Sequence, residues 1–289
     1  MVYAFAELRM IEPAIAYYRA NGGAKYIDRF LLLLSTTFSD QGRYADAIKV
    51  LKRYQQVAPY SEGAPNTQKE IVGLYYELNR MPAVWSELAR FPRLYGPKSA
   101  WASRNRSKRQ VYAETQKMVK DQILYYAKIT HKNAQKADNQ RLYKEAMTGY
   151  KLFLSSYPKS REVAEVKYNM ADIEYFGKRY QPAGRLYLEI ALMGKKNALI
   201  YDPANPKKAK NIHKESSEYM LDAFLKDFEP ELKKLVKLKP DFTKKATRPL
   251  SARAKNFIKG CAYYVKQYPQ DKKNVKTCDI YVTEIYYRS

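Results

Sequence analysis

The sequence predicts an all-α chain assembled from repeated antiparallel helix pairs, and three observations carry that expectation. Apolar residues recur at three- and four-residue steps along most of its 289 residues. Glycine is scarce, at 11 residues, in a background of alanine, leucine, lysine, glutamate and tyrosine that favours helix. A motif of tyrosine, small residue and proline also returns at near-constant spacing, as it does in solenoids.

The clearest unit runs from Phe30 to Pro59. Leu34 and Phe38 stand four apart and share one face of a first helix. Gly42-Arg43-Tyr44 supplies the turn, where glycine accepts backbone angles that other residues resist. Ala47, Leu51 and Tyr54 stripe a second helix, which Pro59 stops. The second half recurs as Tyr143, Ala146, Tyr150, Phe153 and Pro158, and the alanine-to-proline distance is twelve residues both times. A further copy reads Tyr175, Gly177, Tyr180, Ala183, Tyr187 and Ile190, with Ala183 lying 37 residues after Ala146. Tyr75, Tyr76, Arg80, Met81 and Ala83 form a more degenerate one. The alanines let two helices approach closely, while tyrosines and leucines fill the space between pairs.

Other segments depart from this rhythm. Residues 98–139 are too long for one helix of a pair. Val111, Thr115, Met118, Gln122 and Tyr125 predict one long helix there, or two collinear ones. Pro203 and Pro206 mark residues 194–210 as an insertion loop. Tyr219, Met220, Ala223, Phe224, Phe228, Leu232 and Leu235 predict a long amphipathic helix that Pro230 would kink or split. No strand is expected. Residues 2–8 and 275–288 read as first helices whose repeats are cut, so the chain is expected to be part of a longer repeat protein. The segments divide as 1–97, 98–194 and 195–289, expected to form one continuous solenoid.

Residues 26–60 and 140–194 resemble the tetratricopeptide repeat family, with small residues at helix crossings and Gly-x-Tyr and Pro punctuation. Tyr150-Lys-Leu-Phe-Leu-Ser-Ser-Tyr-Pro158 and residues 171–187 are similar to a bacterial envelope branch of it. That branch includes the cell-division coordinator of the Tol–Pal system and the lipoprotein subunit of the outer-membrane β-barrel assembly machine. The resemblance implies a right-handed superhelical solenoid that binds protein and catalyses nothing. Counting from the repeat alanines, a concave groove of first helices would use Arg29, Leu32, Thr36 and Ser39 in one unit. Glu165, Tyr168, Asp172 and Tyr175 are their counterparts in another.

Lysine and arginine number 53 against 29 acidic residues, a formal charge of +24 that attracts anions of many kinds. One basic cluster is Lys98, Arg104, Arg106, Lys108 and Arg109, interleaved with Trp101 and Tyr112. A second surrounds the insertion loop, with Lys195, Lys196, Lys207, Lys208, Lys210 and Lys214. A third runs from Lys233 to Lys255. Arg104, Arg106, Lys108, Lys207, Lys208 and Lys210 are the candidate anion-binding residues. The longest dense apolar stretch, Phe30 to Leu34, is too short to cross a bilayer, so no transmembrane segment is expected.

Cys261 and Cys278, the only two cysteines, flank the turn at Tyr268-Pro269 at nearly equal distances. A disulfide between them is geometrically plausible and would stabilise by about 3 kcal/mol. Two buried thiols in a reducing compartment are the alternative. His131 and His213 lack a second histidine at ligand spacing, and no Cys-x-x-Cys exists, so neither metal nor cofactor is expected. Ser156-Tyr-Pro-Lys159 matches a Ser-x-x-Lys pattern only at a repeat boundary, and no catalytic set emerges. The expected function is a periplasmic, outer-membrane-associated scaffold for a protein partner or an anionic envelope component. A cytoplasmic helical-repeat RNA-binding protein is the alternative.

Overall fold

The computed structural model describes residues 11–202, 204–205, 207–237 and 249–288. Thirteen α-helices make up nearly all regular structure among them, and within each of two units most successive helices pack on one another. The chain divides into two compact units, residues 1–137 and 138–289. The cut first repeat expected at residues 2–8 lies outside the described residues, as do Lys239, Lys244, Lys245 and Arg248 of the third basic cluster.

In the first unit, α1 (Ile11–Ala20) precedes α2 (Ile27–Asp40), α3 (Tyr44–Val57), α4 (Ala64–Glu77) and α5 (Met81–Tyr95). A short α6 (Ala100–Asn105) then leads into α7 (Arg109–Ala137). Phe30, Leu34 and Phe38 of α2 are buried together with Ala47, Leu51 and Tyr54 of α3, as the spacing required. Residues 98–139 thus hold a separate short helix and one long one. The buried row of α7 passes through Thr115, Val119, Ile123, Ala127, His131 and Ala134. The expected line through Met118, Gln122 and Tyr125 runs beside that row, and Tyr125 is exposed. Its neighbour Tyr126 is the buried ring, with a phenol that burial pushes up to about 12. Both tryptophans, Trp85 and Trp101, are buried in this unit.

The second unit holds α8 (Gln140–Ser156), α9 (Val163–Phe176), α10 (Tyr180–Leu192), α11 (His213–Leu235), α12 (Ala252–Gln267) and α13 (Lys272–Arg288). Its core gathers Ala183, Tyr187 and Ile190 with Phe224, Phe228, Phe257, Cys261 and Tyr264. A Cβ on Gly184 would stand 2.5 Å from the Phe224 ring, so the missing side chain is what lets α10 and α11 close up. Pro230 lies inside α11, which continues to Leu235 without being split. Strands were not expected, yet β1 (Leu199–Tyr201) and β2 (Ala209–Asn211) pair antiparallel within the insertion. Ala198 and Ile212 flank the strands, are fully buried, and are joined by an Ile212 N–H bond to the Ala198 carbonyl, which ties the base of the hairpin to the core.

Two backbone devices recur. The first joins α2 to α3, α4 to α5 and α9 to α10 through three residues each. Their middle residues, Gly42, Asn79 and Lys178, have φ of 69°, 53° and 57°. In each turn the middle and last N–H groups bond back to the preceding helix: Gly42 to Ser39 and Arg43 to Phe38, Asn79 to Tyr76 and Arg80 to Tyr75, Lys178 to Tyr175 and Arg179 to Glu174. The second device ends α3, α8 and α12. Ala58, Tyr157 and Tyr268 adopt φ of −130°, −134° and −134°, and each is followed by a proline that cannot extend the helix. Each donates its N–H four residues back, to Tyr54, Phe153 and Tyr264.

The first device makes a test of backbone strain. A left-handed conformation costs a side-chain-bearing residue about 1–2 kcal/mol. Lys178→Gly is therefore expected to raise the urea midpoint, and Gly42→Ala to lower it. No atom lies within 4 Å of the Cβ added at Gly42, so the loss there would be conformational alone.

Candidate binding surfaces

In the first unit, Lys52 of α3 meets Glu87 and Arg90 of α5. The Lys52 Nζ and Arg90 Nη1 each stand 2.9 Å from the Glu87 carboxylate, which is nearly buried. Gln68 donates to the same carboxylate at 3.0 Å, and Gln55 donates to Gln68 at 2.9 Å. Burial alone would raise the Glu87 carboxyl, but the bonds from Gln68 and Lys52 and the charge of Arg90 hold it below its ordinary value. Burial would likewise lower Lys52, but its bonds to Glu87 and Tyr75 raise it, so the ionised forms prevail.

This network backs a cleft of about 390 Å³ whose lining includes Lys52, Tyr60, Arg90, Arg93, Tyr95 and Trp101. The expected basic cluster, which has Arg104 on α6 and Arg106 and Lys108 just after it, sits beside it. Arg104 lies over the Tyr60 ring at 3.9 Å, and Lys108 pairs with Glu62 at 2.7 Å. Arg106 is exposed, with no acidic partner among the described residues. Trp101 Nε1 donates to the Ser61 carbonyl at 2.7 Å, and Asn105 donates to the Tyr60 carbonyl at 3.0 Å, which fixes α6 against the loop after α3. Among the expected groove residues of this unit, Arg29 and Thr36 are exposed, while Leu32 and Ser39 are half-buried. The Thr36 hydroxyl is turned back to the Leu32 carbonyl.

In the second unit, three of the four expected groove residues converge on the next helices. The Tyr168 hydroxyl donates to Glu215 at 2.9 Å, and Tyr187 donates to Asp172 at 2.6 Å. The Tyr175 hydroxyl donates to Asp222 and accepts from Lys226. Tyr219 stacks on Tyr187, with centroids 5.4 Å apart, and lies edge-on to Tyr168. At 39% exposure, Tyr219 is the ring this face offers to solvent. Glu165, on the same helix, is half-buried. Sequence reasoning missed Glu215, Tyr219, Asp222 and Lys226, because their place on this face depends on how α11 lies across α9. Their four- and seven-residue spacing was the available signal.

The insertion hairpin presents Lys207, Lys208 and Lys210, all exposed. Lys210 pairs with Glu215 at 2.7 Å, so the other two carry its unpaired charge. Beneath it, His213 is buried between two phenols. Tyr263 donates to the Ala191 carbonyl at 2.7 Å and must therefore accept from His213 Nε2 at 3.1 Å. That places the proton on Nε2 and leaves Nδ1 to accept from Tyr268. Burial lowers His213, in keeping with the neutral ring. No group of His, Cys, Asp and Glu able to hold a metal occurs among the described residues. Cys261 and Cys278 are buried free thiols brought into hydrogen-bond contact, with Cys278 lowered by its bond from Cys261.

No protein-family model matches the chain, and no curated protein matches it either.

Asp172 gives this surface a pH signature. Burial pushes its carboxyl up to about 6, against which the Tyr187 bond works only in part. The folded state thus holds the proton more tightly than the unfolded chain, whose carboxyl titrates at about 3.9. That stabilisation is complete at low pH and is lost as pH rises through about 6. Urea unfolding at a series of pH values checks this. The stability of the parent relative to Asp172→Asn is expected to fall between about pH 4 and pH 6, opposite to an ordinary salt-bridged carboxylate.

Proposed function

We propose that the chain is a non-enzymatic scaffold of tetratricopeptide type, with its helix pairs stacked as a right-handed superhelical solenoid. It would work in the bacterial periplasm at the outer membrane. A protein partner would lie along the first helices, and an anionic envelope component would meet the lysine-bearing hairpin. The observation that carries this reading is the recurrence of the two backbone devices, in three turns and at three helix ends. Repeated pairs joined by the same turn stack their first helices side by side and build an extended surface, which suits capture of a peptide or loop. The tyrosine and carboxylate face around Tyr219, with its ring in solvent, supports that use. Cys261 and Cys278 stand as adjacent free thiols, and in an oxidising compartment they would close into the disulfide expected from the sequence.

A second reading, a cytoplasmic RNA-binding protein, draws on the charge of +24 and on Arg104, Arg106 and Lys108 beside aromatic rings. The stacking of Arg104 on Tyr60 weighs against it, since that ring face is already covered.

Capture of envelope proteins by the immobilised chain tests the two readings. Binding is expected to fall steeply as salt rises past physiological strength, where screening sets in beyond about 8 Å. Tyr219→Ala should weaken protein capture, and reversal of Lys207, Lys208 and Lys210 to glutamate should weaken anion capture, each with helical content intact. Displacement of the captured protein by single-stranded RNA at low micromolar concentration, with Tyr219→Ala silent, would overturn the scaffold in favour of the second reading. Two free thiols in protein recovered from the periplasm would remove the argument for compartment.

A further inference from the structure

The cleft backed by Glu87 belongs to no expected site. Its cations come from second helices rather than from the first-helix groove. Lys52 and Arg90 are both held by one carboxylate, so their side chains are already ordered, and binding need not fix them again. Arg93, one turn beyond Arg90, is exposed and has no acidic partner among the described residues. Three cations against one carboxylate leave the cleft positive. A neighbouring hollow shares Lys52 and Gln56 with it and adds Lys49 and Arg53. Those two are paired with Asp46 and Glu12, so the unbalanced charge sits at the Arg90–Arg93 end. From Lys49 to Gln56 the α3 surface runs about 10 Å at 1.5 Å per residue, room for about three residues of extended peptide.

The aromatic groups decide which anion fits. Tyr95 and Trp101 are 3% and 1% exposed, so they wall the cleft with edges and offer no open ring face. The Tyr60 ring is stacked with Arg104. Tyr60 is 39% exposed, so a nucleobase would find only the part of that one ring that Arg104 leaves open, with no second open ring to continue a stack. Pro59 and Leu94 add apolar lining between the cations. We infer that this cleft binds an acidic peptide segment of a partner protein, a carboxylate side chain meeting the guanidinium groups of Arg90 and Arg93 while a neighbouring apolar side chain lies against Pro59 and Leu94. The inference rests on the scaffold reading and gives the chemistry of one part of the partner. Guanidinium–carboxylate bonds of this kind are bidentate and charge-assisted, which makes Arg93 the residue to test.

Fluorescence anisotropy of the purified chain with a short fluorescein-labelled peptide of alternating Glu and Leu provides the experiment, with oligo-uridylate of equal charge as comparator. Arg93→Glu is expected to weaken peptide binding at least about tenfold, the effect of losing one charge-assisted pair. Lys151→Glu makes the same change in net charge on the exposed side of α8, away from every expected binding residue, and is expected to leave peptide affinity unchanged. Circular dichroism should be the same for both variants, because among the described residues neither side chain makes a hydrogen bond or an ion pair. Arg93→Gln, which keeps a neutral side chain of similar length, should weaken binding in the same direction. Equal losses in Arg93→Glu and Lys151→Glu would overturn the inference, since diffuse charge would then explain binding. An unaffected Arg93→Glu, or no peptide binding at all, would do the same. Tighter binding of oligo-uridylate with the same Arg93 dependence would reassign the cleft to nucleic acid. Envelope-protein capture that persists while peptide binding fails would sink the cleft and leave the scaffold standing.

Discussion

The constraint on which the structure depends is that a single helix pair exposes more apolar surface than it can bury. Each pair needs the next one, and each chain reversal must deliver the next helix at a workable distance. Ala47, Ala146 and Ala183 are fully buried at the close crossings, where a larger side chain would hold the helices apart. The turns meet the same demand through the backbone. Gly42, Asn79 and Lys178 differ in chemistry yet hold one conformation, because the hydrogen bonds back to the preceding helix fix it. Glycine adopts it without strain, asparagine with little, and lysine only because the packing on either side requires it.

Much of this was legible in the sequence. The alanine-to-proline distance located second helices, and Leu34, Phe38, Leu51 and Tyr54 were read correctly as core. The features that escaped depend on contacts between distant segments. Lys52 and Arg90 lie too far apart for any helical spacing to relate them, and only the packing of α3 near α5 lets Glu87 join them. The burial of Asp172 depends on Tyr187 from the next helix and on α11 beyond it. On α7, neighbours rather than periodicity decide which of Tyr125 and Tyr126 turns inward. The hairpin escaped because its strands are three residues each, and Pro203 and Pro206 read as a loop.

The charge of +24 is unevenly used. Several carboxylates are turned inward or held against the fold. Glu87 anchors two cations and a buried glutamine, and Asp172 takes a buried phenol. Asp271 is held down to about 2, first by the Tyr264 hydroxyl and then by Asn274. Asp172 is held in this way by a hydroxyl and not by a lysine. The tyrosines make this possible, because a phenol can satisfy a carboxylate without bringing in a countercharge.

The placement of the aromatic chromophores has a consequence for following the molecule in solution. Trp85 and Trp101, the only indoles in the chain, are both buried in the first unit, while the second is rich in tyrosine and has none. Excitation at the red edge of the near-ultraviolet band therefore illuminates the first unit alone. Emission from phenols that donate to carboxylates, as Tyr168, Tyr175 and Tyr187 do, belongs to the second and should be quenched while those bonds persist. The first unit thus carries an optical label of its own, and set against the far-ultraviolet signal of the whole chain it reads whether the two units melt together or in succession without attaching a dye.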